Sequence, residues 1–216
     1  MNTQLDKQAY WTIGRWGGLA CFLWPVALIP ASLIYLTGNL RTAIGPLAYS
    51  VADFLAGPVS AASLIIVIFA VRERLNEHAP RRMSAALLAG FLAAGAMVLV
   101  ACIRAANRQY HLLHPELHLE NSTAVLVVWT TLVAWISAAG WHFWGWALGL
   151  VGSAGWTSNR LPHGLCILSW LVSLASLFVY AFPNLEGIAG AFSVVWALWL
   201  GALLWKTEPE NRQAAE

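Results

Sequence analysis

From Gly17 to Leu36 the chain runs for 20 residues without one Asp, Glu, Lys or Arg. A helix of about 20 apolar residues, rising 1.5 Å per residue, covers the roughly 30 Å hydrocarbon core of a bilayer. The pattern recurs along the chain. Leu47–Val71 holds a single charge, Asp53, while Met83–Ile103, Leu161–Phe182 and Gly187–Trp205 hold none. A soluble helix keeps a charged or strongly polar face for water, and these segments have too few such residues to build one. Charged residues make up only 10% of the 216 residues, against roughly 25% in soluble domains. The 13 Trp fit the same solvent, since indole favours the zone where hydrocarbon meets headgroups.

The stretch Thr123–Trp156 is apolar throughout but longer than one crossing requires. It reads as one long helix that tilts or protrudes, or as a span over 131–156 preceded by an interfacial piece; either way it makes one crossing. The expected architecture is an all-α polytopic bundle of six transmembrane helices, at about 17–36, 47–71, 83–103, 131–156, 161–182 and 187–205. These form a single integral membrane domain over 1–216. The polar lead before Gly17 and the length of the first run exceed a signal peptide's apolar region of about 7–15 residues. That run is expected to be an uncleaved span. Turn chemistry separates the segments: Gly38-Asn39 and Gly45-Pro46, Asn121-Ser122-Thr123 as a cap, Asn159 with Pro162, and Pro183-Asn184.

Lys and Arg resist translocation and so report orientation. With six crossings one side collects Lys7, Arg15, Arg72, Arg74, Arg81, Arg82, Arg160, Lys206 and Arg212, and the other only Arg41, Arg104 and Arg108. Both termini are therefore expected in the cytoplasm, with the chain in a cell inner membrane. A net charge of +2, and no basic run interleaved with aromatics, give no sign of a nucleic-acid partner. Gly145-x-x-x-Gly149 has the small-residue spacing that lets helices approach closely in lipid, and Gly90, Gly95, Ala197 and Gly201 could do the same. Cys21, Cys102 and Cys166 are odd in number and widely spaced, which suits small buried hydrophobes better than disulfides.

Ionisable groups in lipid are costly and tend to be paired or functional. Asp53 is the clearest: Arg104 and Arg108 end the third span at the same outer level, Arg41 precedes the second, and an Asp53–Arg104 pair across helices is expected. Asn107 lies between the arginines, and Glu186 adds a carboxylate at the same end. His142, flanked by Trp141 and Trp144, could serve haem iron. The other histidine on a neighbouring span, His163, stands roughly 15 Å away in depth at 1.5 Å per residue, so a histidine hydrogen-bonded between helices is expected instead. Asp53, Arg104, Asn107, Trp141, His142, Trp144 and Glu186 form the candidate ligand-binding set. In the loop after Arg108, His111, His114 and His118 share a helical spacing with Glu116 nearby. That is a possible zinc site, although the pattern matches no established zinc signature. No nucleophile elbow, zinc-protease motif or phosphate loop occurs, so no catalytic residue is assigned.

The run Phe143-Trp-Gly-Trp-Ala-Leu-Gly-Leu, followed by Arg160-Leu-Pro-His-Gly-Leu, resembles a bacterial family of six-helix membrane proteins catalogued only as a domain of unknown function. Arg15-Trp-Gly-Gly and Val51-Ala-Asp-Phe-Leu are similar to that family's Arg-x-x-Gly and Ala-Asp-Leu positions. The resemblance implies six spans and no particular activity. The leading expectation is a non-enzymatic membrane protein, in contact with membrane lipid, that binds a lipophilic ligand, associates with partner membrane subunits or forms a homo-oligomer. Its rivals are a membrane enzyme using the His/Glu cluster and a small proton-coupled transporter using Asp53.

Overall fold

The computed structural model describes residues 3–38, 44–113 and 123–206; for residues 3–12, 111, 123 and 126 only the backbone is described. The described chain is all helix and turn. Six helices follow one another: α1 (Thr3–Thr37), α2 (Gly45–Leu75), α3 (Pro80–Leu113), α4 (Thr123–Ser158), α5 (His163–Leu177) and α6 (Leu185–Lys206). Four of them contain segments long and apolar enough to cross a membrane: Ile13–Thr37, Gly45–Leu75, Pro80–Tyr110 and Leu185–Lys206.

The helices alternate in direction and pack in chain order, with α6 closing back onto α1, so the six make a ring. One end of the bundle gathers the start of α1, the α2–α3 and α4–α5 turns and the end of α6. The opposite end holds the end of α1 and the start of α6, and is called the cavity end below.

Local chemistry explains the turns at the first end. Asn159 follows α4 at φ 52°, the left-handed position that ends many helices and that Asn tolerates. Pro162 then caps α5 and stops any fusion of the two helices. Arg74 Nε donates to the Arg160 carbonyl at 3.2 Å. Arg82 Nη1 donates to the Ser153 carbonyl at 3.3 Å and to Thr157 Oγ1 at 3.2 Å. The basic residues counted above thus tie the turn to the bundle.

The fourth apolar stretch forms one continuous helix of 36 residues, about 54 Å long at 1.5 Å per residue. The fifth helix is shorter than its apolar run. It ends at Leu177, and turns carry the chain from Phe178 towards Pro183, with Phe182 N donating to the Phe178 carbonyl at 2.9 Å. Pro183 offers no N–H and pushes the residue before it out of the helical region, so the helix cannot simply run on.

The α4–α5 contact is built on glycine. A Cβ at Gly145 would lie 3.0 Å from the Ser173 carbonyl, and one at Gly152 would lie 3.0 Å from the Cys166 carbonyl. The small-residue spacing is therefore used within the chain, against Ser169, Ser173 and Ser176 of α5. Gly201 does the same for α6 on α1, where a Cβ would meet that of Cys21 at 2.9 Å. Gly95 has no neighbour within 4 Å and supports no contact.

In α2 the five residues Leu55–Val59 form a π-helical turn around Pro58, which has no N–H to give. At its end the Leu55 carbonyl accepts from both the Ser60 N–H and, at 2.7 Å, Ser60 Oγ. The turn presses Gly57 against Ala101 of α3, where no side chain would fit.

Candidate functional site: a cavity over a tryptophan floor

Trp24 of α1, Trp144 of α4 and Trp196 of α6 meet edge to face across the ring, with centroids 5.3 and 5.7 Å apart. All three are buried. Trp144 Nε1 donates to Ser193 Oγ at 3.1 Å, and Trp196 Nε1 to Ser169 Oγ at 2.8 Å. Each bond gives an indole N–H the partner it needs once removed from water. Towards the termini the interior is filled by Leu64, Ile68, Leu148, Val151 and Leu200, all buried.

On the other side of this floor lies a cavity of about 510 Å³, walled by α1, α2, α3, α4 and α6. That volume falls within the range of small-molecule pockets. Most of the wall is apolar: Leu28, Ile29, Leu33, Ala56, Ala96, Met97, Val100, Ala101, Ala191 and Val194. Polar groups are few and come from Ser32, Tyr35, Arg104, Ser137, Trp141 and Glu186. Two of them carry opposite charge. The Arg104 guanidinium lies over the Tyr35 ring, 4.7 Å from its centroid. Glu186 Oε1 accepts from Ser137 Oγ at 3.0 Å and from Trp141 Nε1 at 2.9 Å.

No family model, curated protein or solved structure matches the chain.

Behind the cavity wall sits a buried polar network. Asp53 of α2, 3% exposed, pairs through Oδ2 with Arg108 Nη2 of α3 at 2.6 Å. Its Oδ1 accepts from the Tyr35 hydroxyl of α1 at 2.5 Å. Arg108 also donates to Ser50 Oγ at 3.2 Å, and Tyr49 packs on Tyr35 while donating to the Gly38 carbonyl at 3.0 Å. The expected Asp53–Arg104 pair is therefore replaced by Asp53–Arg108. Ser50 and Asp53, one turn apart on α2, form a paired acceptor that Arg108 spans. Arg104 stacks on the aromatic ring whose hydroxyl Asp53 holds.

Of the seven candidate ligand-binding residues, the cavity brings together Arg104, Trp141, Trp144 and Glu186. Asp53 touches it only through Tyr35, and Asn107 does not line it. His142 faces elsewhere. Its Nε2 accepts from Trp146 Nε1 at 3.2 Å, one turn along the same helix, and the Tyr180 ring packs on it at 5.5 Å. The bond expected between helices is thus an intrahelical one, because Trp146 lies within reach at i+4. His163 belongs to a separate cluster, with the Trp156 ring 4.3 Å away.

The proposed zinc ligands His114, Glu116 and His118 lie outside the described residues, and His111 is described by its backbone alone. Among the described residues no group of three or more His, Cys, Asp or Glu could hold a metal.

Sequence reasoning missed Tyr35, Ser32 and Ser137. The signal was present for Ser137, which stands four residues before Trp141 and seven before Trp144 on one helical face. Nothing local marked Tyr35, whose role depends on two other helices.

Proposed function

We propose that this chain is a six-span membrane protein with cytoplasmic termini, whose cavity opens toward the opposite leaflet and holds a lipophilic ligand. The observation that carries the reading is the cavity itself: an apolar space of about 510 Å³ over a closed Trp floor, with a few polar groups. The bundle's outward surface supports the membrane setting, since Val26, Leu88, Val128 and Val195 are all more than half exposed. An apolar exterior of that extent is unfavourable in water and ordinary in lipid. The segregation of Lys and Arg supports the orientation and a bacterial inner membrane as the setting. The two helices that supply no candidate span fit the same six-span reading. Trp129, Trp135, Trp141, Trp144, Trp146 and Trp156 make α4 less uniformly aliphatic, and the turns after Leu177 lengthen the reach of α5. The family of unknown function with six helices remains a compatible assignment.

A ligand is favoured over partner subunits because the glycine faces of α4 and α6 are occupied by α5 and α1. It is favoured over proton-coupled transport because Asp53 is held by Arg108 and Tyr35, away from the cavity lining. The test is native mass spectrometry of the full chain in mild detergent, alongside Gly190→Leu. A Cβ at Gly190 meets only Trp141, at 3.7 Å, so the larger side chain can fold into the cavity. Wild type should retain amphiphile that the filled variant loses. Equal retention by both would remove the cavity as the binding site.

A further inference from the structure

Arg104 and Glu186 face the same cavity with opposite charge, and neither is in an ion pair with another described residue. Among the described residues no carboxylate pairs with Arg104, since Asp53 is taken by Arg108. Among the same residues no cation pairs with Glu186, whose two bonds come from a neutral hydroxyl and a neutral indole. The two groups do not pair with each other either. We infer that the cavity takes a zwitterion with an apolar body, its anionic group held by Arg104 and its ammonium by Glu186. This rests on the ligand-binding reading above and names the class of ligand.

The chemistry of each end supports the assignment. Arg104 lines the cavity with its guanidinium over the Tyr35 ring, and its planar fork of N–H donors suits a phosphate or carboxylate. At Glu186 both hydrogen bonds go to Oε1, leaving Oε2 as an acceptor for an ammonium. The Trp141 N–H and the Ser137 hydroxyl hold that carboxylate in place from its Oε1 side.

Arg104 is half-buried and Glu186 is exposed in the first turn of α6, so an occupant that displaces water from both must offer each a partner of opposite charge. A ligand with one charge neutralises one wall and leaves the other exposed. A zwitterion neutralises both at once. Ile29, Leu33, Met97 and Val194 then receive the apolar part. The same chemistry could come from a zwitterionic lipid headgroup with one chain or from a free amino acid with an apolar side chain.

The experiment compares four probes on the purified full chain by native mass spectrometry, with Kd measured by titration. They are lysophosphatidylethanolamine (zwitterionic), lysophosphatidylglycerol (anionic), dodecylamine (cationic) and leucine (a free zwitterion). Wild type should prefer a zwitterion over either singly charged amphiphile by about tenfold, the worth of one extra charge-assisted contact of 1.4 kcal/mol. Glu186→Gln keeps the Oε1 acceptor for Ser137 and Trp141, and should erase the preference over lysophosphatidylglycerol. Arg104→Gln should erase the preference over dodecylamine. Tight leucine binding would support the inference with a free solute as source; lysophosphatidylethanolamine alone would support it with lipid. If wild type and both variants rank the probes alike, the zwitterion assignment is overturned, while the pocket still stands provided Gly190→Leu abolishes binding. If Gly190→Leu binds every probe as wild type does, the pocket itself fails.

Discussion

Arg108 reaches Asp53 at 2.6 Å, while Arg104, one turn back on the same helix, rests on the Tyr35 ring and faces the cavity. Two arginines one helical turn apart thus have different tasks. Asp53 is 3% exposed, so removing its partner strands a buried carboxylate, which costs about 3–5 kcal/mol. Arg108→Gln should lower the unfolding midpoint in detergent strongly. Arg104→Gln should lower it by about 1 kcal/mol or less, the scale of an exposed cation–π contact. The Asp53→Asn/Arg108→Gln pair should lose less than the sum of its single changes. Equal loss from the two arginine variants would show that the pairing is misassigned.

The Trp floor gives a prediction that separates its members. Trp196 Nε1 has Ser169 Oγ as acceptor at 2.8 Å, whereas Trp24 Nε1 is buried with no hydrogen-bond partner. A buried donor without an acceptor costs about 1–3 kcal/mol, so Trp24→Phe removes a penalty along with some ring contact. Trp196→Phe removes a made bond, worth about 1 kcal/mol, and the same ring contact. Trp24→Phe should therefore be the better tolerated change in equilibrium unfolding. The reverse order would mean that Trp24 has an acceptor.

Glycine positions can be ranked the same way. At Gly152 a Cβ would lie 3.0 Å from the Cys166 carbonyl, the Ser169 Cβ and the Trp170 ring, so α4 and α5 must separate to admit it. Gly152→Ala should cost about 1–3 kcal/mol, as overpacking does. At Gly95 nothing lies within 4 Å. Gly95→Ala should raise stability by up to about 1 kcal/mol through helix propensity alone. Thermal unfolding of the two variants in one detergent checks both signs.

What the sequence disclosed divides along the same physical line. The number of helices and the turns at Asn159 and Pro162 were legible, because each follows from composition or turn chemistry; Arg104, Trp141, Trp144 and Glu186 were singled out as polar or aromatic groups in apolar helices, without the cavity they line. Pairings across helices were not. Whether Arg104 or Arg108 meets Asp53 depends on how α2 rotates against α3, which neither helix's own pattern states. Whether Gly145 serves an oligomer or an internal contact depends on where α5 docks. His142 read as an interhelical group because its helix was known but its facing was not.

Orientation decides which compartment the cavity meets, and cysteine labelling can read it. Asn184 lies between α5 and α6 at the cavity end, while Asn159 lies in the opposite turn beside Arg160. With Cys21, Cys102 and Cys166 replaced by Ala, one new cysteine is placed at each site in turn. The excess of Lys and Arg at the end holding Asn159 predicts that this end stays in the cytoplasm. An impermeant maleimide added to intact cells should then modify Asn184→Cys and spare Asn159→Cys, with both reacting after lysis. The opposite pattern would place the Arg104–Glu186 cavity in the cytoplasmic leaflet, so its ligand would have to come from the cell interior. Labelling of both in intact cells would mean that a helix counted here as a crossing does not cross.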